Sequence, residues 1–157
     1  MPVAWRIVKA SRVASAFDGE GARLYGGRWN SPGHALVYTA ENVSLAALEL
    51  LVHLQESALL ASYLLLSVRF PPALVRKLAR AALPATWNAY PAPLRLRQLG
   101  DAWIAAGTSA VLEVPSAVVP AEKNYLLNPA HPGFQRVTLG TPQRFSFDRR
   151  LARRDAR

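Results

Sequence analysis

Between Tyr25 and Leu54 the chain reads YGGRWNSPGHALVYTAENVSLAALELLVHL, and the few polar groups in it are of kinds that do chemistry. Two glycines precede Arg28. They let the backbone bend or a ligand approach closely, while the guanidinium presents a planar fork of donors suited to phosphate or carboxylate. Glu49 lies inside LAALELLVHL, a segment so apolar that an ionised carboxylate there needs a partner or an opening to solvent. Two readings stand open: a structural pair with an arginine such as Arg6 or Arg28, or a carboxylate facing a cleft. Tyr38 closes an apolar strand, either as a core ring with its hydroxyl at a rim or as a ring stacked on a ligand. His53, four residues after Glu49, shares its helix face as a core histidine or a hydrogen-bond partner, and His34 sits in a turn.

Further along, Ser116, Asn124, Asn128 and His131 cluster in VPSAVVPAEKNYLLNPAHPGF. A serine-hydrolase triad does not fit, because there is no Gly-x-Ser-x-Gly elbow and the nearest acid, Glu122, stands in an expected loop. No Walker-type or Gly-x-Gly-x-x-Gly phosphate loop occurs. With no cysteine and three scattered histidines (His34, His53, His131), no metal centre is expected.

The elements that must position these groups are read from pattern and punctuation. VAWRIV (Val3 to Val8) is a β-type run, and SAFDGEGAR, polar and rich in glycine, reads as a loop. The Asn30-Ser31-Pro32-Gly33 turn leads into a strand ending near Tyr38. A helix capped by Asn42 or Ser44 then presents Leu45, Leu48, Leu51, Val52 and Gln55 on one face and ends near Glu56. SYLLLSVRF is a strand stopped by Pro71-Pro72. Leu74 to Ala82 is compatible with a short helix, and LPATWNAYPAP reads as a loop. LRLRQLGDAWIAAG is a helix closed by Gly107, and SAVLEVPS is a strand. Prolines interrupt Ala117 to Pro132, so that stretch reads as irregular backbone lining something, and RVTLGTPQRFSFD supplies one or two closing strands. Strands without regular helical crossovers argue against a doubly wound parallel sheet and for an α+β fold.

The 157 residues suit one domain, and 51% apolar residues with four tryptophans place the chain among globular proteins. No run approaches the ~18 to 20 apolar residues of a membrane helix, and the N-terminus lacks an apolar signal core, so a cytoplasmic protein is expected. The net charge of +9 rests on 16 arginines against three lysines, which suits a polyanionic partner. Five of those arginines fall in the last nine residues, RRLARRDAR. A non-enzymatic basic module binding nucleic acid is the rival reading. Direct nucleic-acid binding is nevertheless not expected, because the aromatics are not interleaved with arginines as single-strand binders require.

As a set, WRIV (Trp5 to Val8), the stretch from Tyr25 to Leu54, and Val114 to Phe134 resemble the RES domain family, toxins of bacterial toxin–antitoxin pairs named for an arginine, a glutamate and a serine. The resemblance frames the chain from Trp5 to about Phe147, implying a RES domain over 1–147 and a basic tail over 148–157. It implies an α+β fold similar to the ADP-ribosyltransferase toxins, with mixed and antiparallel sheets and a few helices. It further implies cleavage of the nicotinamide–ribose bond of NAD, by phosphorolysis with inorganic phosphate as co-substrate or by hydrolysis, or else transfer of ADP-ribose to a protein. The family arginine falls on Arg28, its tyrosine on Tyr38, its glutamate on Glu49 and its serine on Ser116; a further pocket arginine falls on Arg6. Asn124, Asn128 and His131 are weaker candidates for wall contacts. By that resemblance Glu49 would steady an oxocarbenium-like ribose, Arg28 with Arg6 would grip a pyrophosphate or phosphate, Tyr38 would stack on nicotinamide, and Ser116 would hold a phosphate or ribose oxygen. The implied partner is a separate helix-turn-helix antitoxin of Xre type, bound in a toxin–antitoxin hetero-oligomer.

Overall fold

A computed structural model describes residues 1–152. Eight strands form one sheet: β1 (Val3–Lys9), β2 (Val37–Ala40), β3 (Tyr63–Arg69), β4 (Val75–Lys77), β5 (Val111–Pro115), β6 (Lys123–Leu127), β7 (Thr138–Leu139) and β8 (Gln143–Phe145). Their order is β4-β5-β6-β2-β1-β3-β7, with β8 also on β3. Only β4 and β5 run parallel among these pairs; the rest are antiparallel. The helices are α1 (Glu20–Tyr25), α2 (Val43–Leu51) and α3 (Leu94–Ala106). This is the expected α+β class, and among the described residues no helix is long and apolar enough to cross a membrane.

Strand alternation decides what faces what, since successive side chains leave opposite faces of a sheet. Tyr125 and Leu127 join Ala4, Val37, Val68, Phe70 and Val111 in a core on one face. Asn124 and Leu126 therefore point to the other, where two helical clusters stand side by side. There α2 packs Leu45 and Ala46 on Ile7 and Ala40. Beside it, α3 packs Leu96 and Trp103 with Trp29 and Leu36 on Leu112, Val114 and Leu126.

Local signals explain the helix ends. The Asn42 side chain accepts from Leu45 N at 2.7 Å, capping α2. Gly107 closes α3 at φ 61, the left-handed conformation that glycine adopts without a Cβ clash.

Several expectations need correcting. SAFDGEGAR is not a plain loop, since Glu20 opens α1. Val75–Lys77, expected to be helix-compatible, is an edge strand. The segment from Ala117 to Pro132 is not irregular throughout: its prolines bracket β6, which lies between β5 and β2. Helix α2 ends at Leu51 rather than near Glu56. Leu48 is partly exposed, Val52 is 62% exposed, and His53 lies in solvent beyond the helix rather than in the core. Of the basic tail, Arg149–Ala152 forms a 3-10 turn with Ala152 packed beside α2; residues 153–157 lie outside the described residues.

Candidate active site

Glu49 is the centre of the arrangement. It leaves the inner side of α2 toward the seam between the two helical clusters. Its Oε1 accepts from Ser116 Oγ at 2.7 Å and its Oε2 from Asn124 Nδ2 at 2.8 Å. Both partners are themselves fixed. Ser116 Oγ accepts from the Val118 and Val119 amides, each at 3.1 Å, and Asn124 Nδ2 also donates to Thr39 O at 3.2 Å. Ser116, fully buried at the end of β5, thus gives its one hydrogen to the carboxylate and takes two amides on its oxygen. A hydroxyl committed in this way is a holder of Glu49, and among the described residues no histidine bonds to it as a base would.

Burial raises the Glu49 pKa above the usual glutamate value, opposed by the Ser116 and Asn124 hydrogen bonds and by the charge of Arg28. The expected pairing with Arg6 or Arg28 is not made: among the described residues no ion pair within 4.0 Å involves Glu49. The carboxylate is held by neutral donors, with Arg28 acting on it at longer range.

The loop carrying Arg28 is built against α3. Gly26 adopts φ +72, and a Cβ on Gly27 would stand 2.5 Å from the Tyr38 hydroxyl. That hydroxyl accepts from Trp29 N at 3.0 Å and donates to Asn30 Oδ1 at 2.6 Å. Burial pushes the Tyr38 pKa well above the usual phenol value, so it stays a neutral donor. Arg97 Nε donates to Gly27 O at 3.1 Å, and Asp101 Oδ1 accepts from Ser31 N at 2.9 Å. A Cβ at Gly100 would lie 1.6 Å from Trp29 O, so the loop backbone rests directly on the helix. Arg28 Nη1 donates to Trp87 O at 3.1 Å and Ala89 O at 3.0 Å, and burial lowers the Arg28 pKa against the pull of Glu49.

Arg6 lies where the sheet parts. Strands β1 and β2 share a single register pair, Trp5 with Ala40. Arg6 Nη1 donates to Tyr38 O at 2.9 Å, while its buried Nε has no hydrogen-bond partner among the described residues. Burial lowers the Arg6 pKa, opposed by the charge of Asp18.

The structure therefore brings Glu49, Ser116 and Asn124 into contact, sets Arg28 within electrostatic range, and places Tyr38 and Arg6 beside the supporting loop and the parted strands. Asn128 and His131 do not join them. They follow the far end of β6, about 13 Å along the strand from Asn124 in the case of Asn128. Asn128 Oδ1 accepts from Ala130 N at 3.0 Å. His131 Nδ1 accepts from Gly133 N at 2.9 Å, with Nε2 2.9 Å from Gly107 O. One acceptor of each side chain thus serves the local turn.

Sequence reasoning missed Gly100, Arg97 and Asp101, which set the Arg28 loop. It also missed a second use of Asn42, whose Nδ2 donates to Glu122 Oε2 at 3.0 Å and ties α2 to the loop after Ser116. The one available signal was a glycine inside a helical pattern, which commonly marks a close packing contact.

Comparison with known proteins places this geometry in context. The model of the RES domain matches residues 3–148. A protein of Yersinia enterocolitica named Toxin Res is 42% identical over 148 residues, covering 94% of this chain and 97% of that one. The Prs ADP-ribosylating toxin of a Sphingobium species is 36% identical over 155 residues, covering 96% of each. Among solved structures, the Mycobacterium tuberculosis MbcT–MbcA toxin–antitoxin complex contains a chain with the same fold, at a TM-score of 0.73 and 21% identity, over 92% of this chain and 84% of that one.

Proposed function

The chain belongs to the RES domain family, whose matched relatives are toxins, and from that premise we propose that it is the toxin of a toxin–antitoxin pair and cleaves the nicotinamide–ribose bond of NAD. One observation carries this reading: a half-buried carboxylate with each oxygen held by a neutral donor, facing a cation that it does not contact. Such a group is preorganised to meet positive charge rather than to neutralise a neighbour.

Cleavage of the bond from ribose to nicotinamide sends the bonding electron pair into the nicotinamide ring and leaves an oxocarbenium-like sugar. Glu49, ionised, stabilises that sugar or binds its hydroxyl, and Ser116 and Asn124 keep the carboxylate from turning away. Preorganised groups of this kind are each worth roughly 3–4 kcal/mol of barrier. Arg28, with Nε and Nη2 left for a ligand, grips the pyrophosphate, and Arg6, buried beside the parted strands, adds positive charge behind it. Tyr38 serves by fixing the Arg28 loop. Phosphate or water then adds to the sugar carbon and loses a proton, giving ADP-ribose 1″-phosphate or ADP-ribose; a protein side chain in the same place would be ADP-ribosylated. The name of the Sphingobium relative supports ADP-ribosyl chemistry in general. The partner we propose is a separate helix-turn-helix antitoxin of Xre type; the toxin–antitoxin complex with a chain of this fold supports an antitoxin partner, and the Xre type is what the family resemblance implies.

The test is nicotinamide release from NAD by protein freed of any antitoxin, with the products weighed by mass spectrometry with and without inorganic phosphate. Release that persists in Glu49→Gln would remove the glutamate from the mechanism. No release by the unaltered protein under either condition would remove NAD as the substrate.

A further inference from the structure

Arg28 is tied to a segment that the proposed reaction does not use. The Nη1 bonds to Trp87 O and Ala89 O place the guanidinium directly on the loop that precedes α3. Within that loop the Trp87 ring also packs against the cluster of Trp29, Leu36 and Leu96. Tyr90, whose nitrogen is bonded to the same Ala89 carbonyl carbon, is 89% exposed. One scattered aromatic in water needs no explanation. This one directly follows the carbonyl bonded by the cation that would hold a pyrophosphate.

We infer that the loop from Pro84 to Pro93 is the wall of an adenosine subsite, with Tyr90 stacking on the purine of a dinucleotide whose pyrophosphate lies on Arg28. The inference rests on the NAD reading and adds to it the part of the substrate remote from the bond that breaks. Arg28 feels the charge of Glu49 and is bonded to the aromatic loop. A molecule that sets its reacting ribose at Glu49 and its pyrophosphate on Arg28 must carry its other nucleoside onward past the guanidinium, where the loop stands. Nη1 is occupied by the two carbonyls, so the fork keeps Nε and Nη2 for phosphate oxygens while its anchored side fixes the distance to the loop. A phenol ring with both faces open to solvent offers any purine a stacking surface, and such stacking is commonly worth about ten- to a hundredfold in affinity.

The experiment titrates the full chain, free of antitoxin, with two probes by calorimetry. ADP-ribose carries the adenosine and ribose 5-phosphate lacks it. Tyr90→Ala is expected to weaken ADP-ribose at least tenfold and leave ribose 5-phosphate within twofold, Tyr90→Phe to restore ADP-ribose binding, and KM for NAD to rise by a similar factor in the alanine variant alone. Equal weakening of both probes would show that Tyr90 acts only by supporting Arg28, and overturns the subsite. Unchanged ADP-ribose affinity in Tyr90→Ala, or failure of the unaltered protein to bind ADP-ribose, overturns it too. Tyr90-dependent binding of ADP-ribose without any release of nicotinamide from NAD would keep the subsite and remove the proposed reaction, so the two failures are distinct.

Discussion

Substituting Gly100 by alanine sets two known effects against each other. In the middle of α3 alanine is favoured over glycine by about 1 kcal/mol of helix propensity. Yet the added Cβ would fall 1.6 Å from Trp29 O and 2.7 Å from Trp29 C, both backbone atoms that no rotamer change can move away. An ordinary contact needs about 3.4 Å, so the loop must retreat from α3 by roughly 1.8 Å or the helix must shift, at a cost of about 1–3 kcal/mol for overpacking. The net loss of stability is then only about 0–2 kcal/mol, a fall in Tm of a few degrees at this chain length. The loss of function is larger, because Arg28 is the residue before Trp29 and moves with it. A misplacement of about 1 Å in a positioning group can cost on the order of a hundredfold in rate. Gly100→Ala should therefore release nicotinamide from NAD about a hundredfold more slowly while melting within a few degrees of the parent. Rates within twofold of the parent, together with a raised Tm, would show that the loop does not rest on position 100 as described.

Other perturbations probe the carboxylate and its supports. The Glu49 pKa is raised from 4.5, so its neutral form favours folding below the unfolded value, and that contribution disappears as pH rises through the folded pKa. Glu49→Gln should therefore gain in Tm relative to the parent as pH climbs from about 4.5, and a Tm difference independent of pH would contradict the burial. If the ionised form works, the acid limb of kcat/KM lies above 4.5 for the same reason. Asn124→Asp replaces a donor 2.8 Å from Glu49 with a second carboxylate, which should move that limb to higher pH; an unmoved limb would mean that the two side chains do not touch. Tyr38→Phe leaves Asn30 Oδ1 and Trp29 N without their shared partner, at a cost of about 1–3 kcal/mol, and calorimetry should find Tm lower by roughly 2 to 10 °C.

What could be read from the chain before folding was whatever depends on near neighbours. The Asn42 cap, the Gly107 stop and the apolar run of β3 are local signals, and each appears where its residues place it. Strand β6 was hidden because prolines at 120 and 129 look like interruptions when read in line, yet they stand outside its five residues, four of which pair on both edges. Strand β4, three residues long, is too short to show any period. Leu48 and Val52 follow helical spacing and still face outward, since the sheet takes Leu45 and Ala46 and the helix stops at Leu51. In the site, the residue types of Arg28 and Glu49 announced chemistry but left their partners open. The bonds that decide them join residues 67 and 75 apart for Glu49, and about 60 apart for Arg28. Spacing along a sequence carries no information about contacts of that range.

Arg6 has a consequence for the sheet as a whole. Continuing the register of Trp5 with Ala40 would set Ile7 opposite Tyr38, but that rung is not formed, and the Tyr38 carbonyl takes a guanidinium instead. A main-chain bond is indifferent to most substitutions, whereas this one is written in a side chain. Beyond the Trp5–Ala40 pair, the joint between the two halves of the sheet thus depends on a single codon, and a change there would loosen the scaffold and remove the cation proposed above for anion binding in the same stroke.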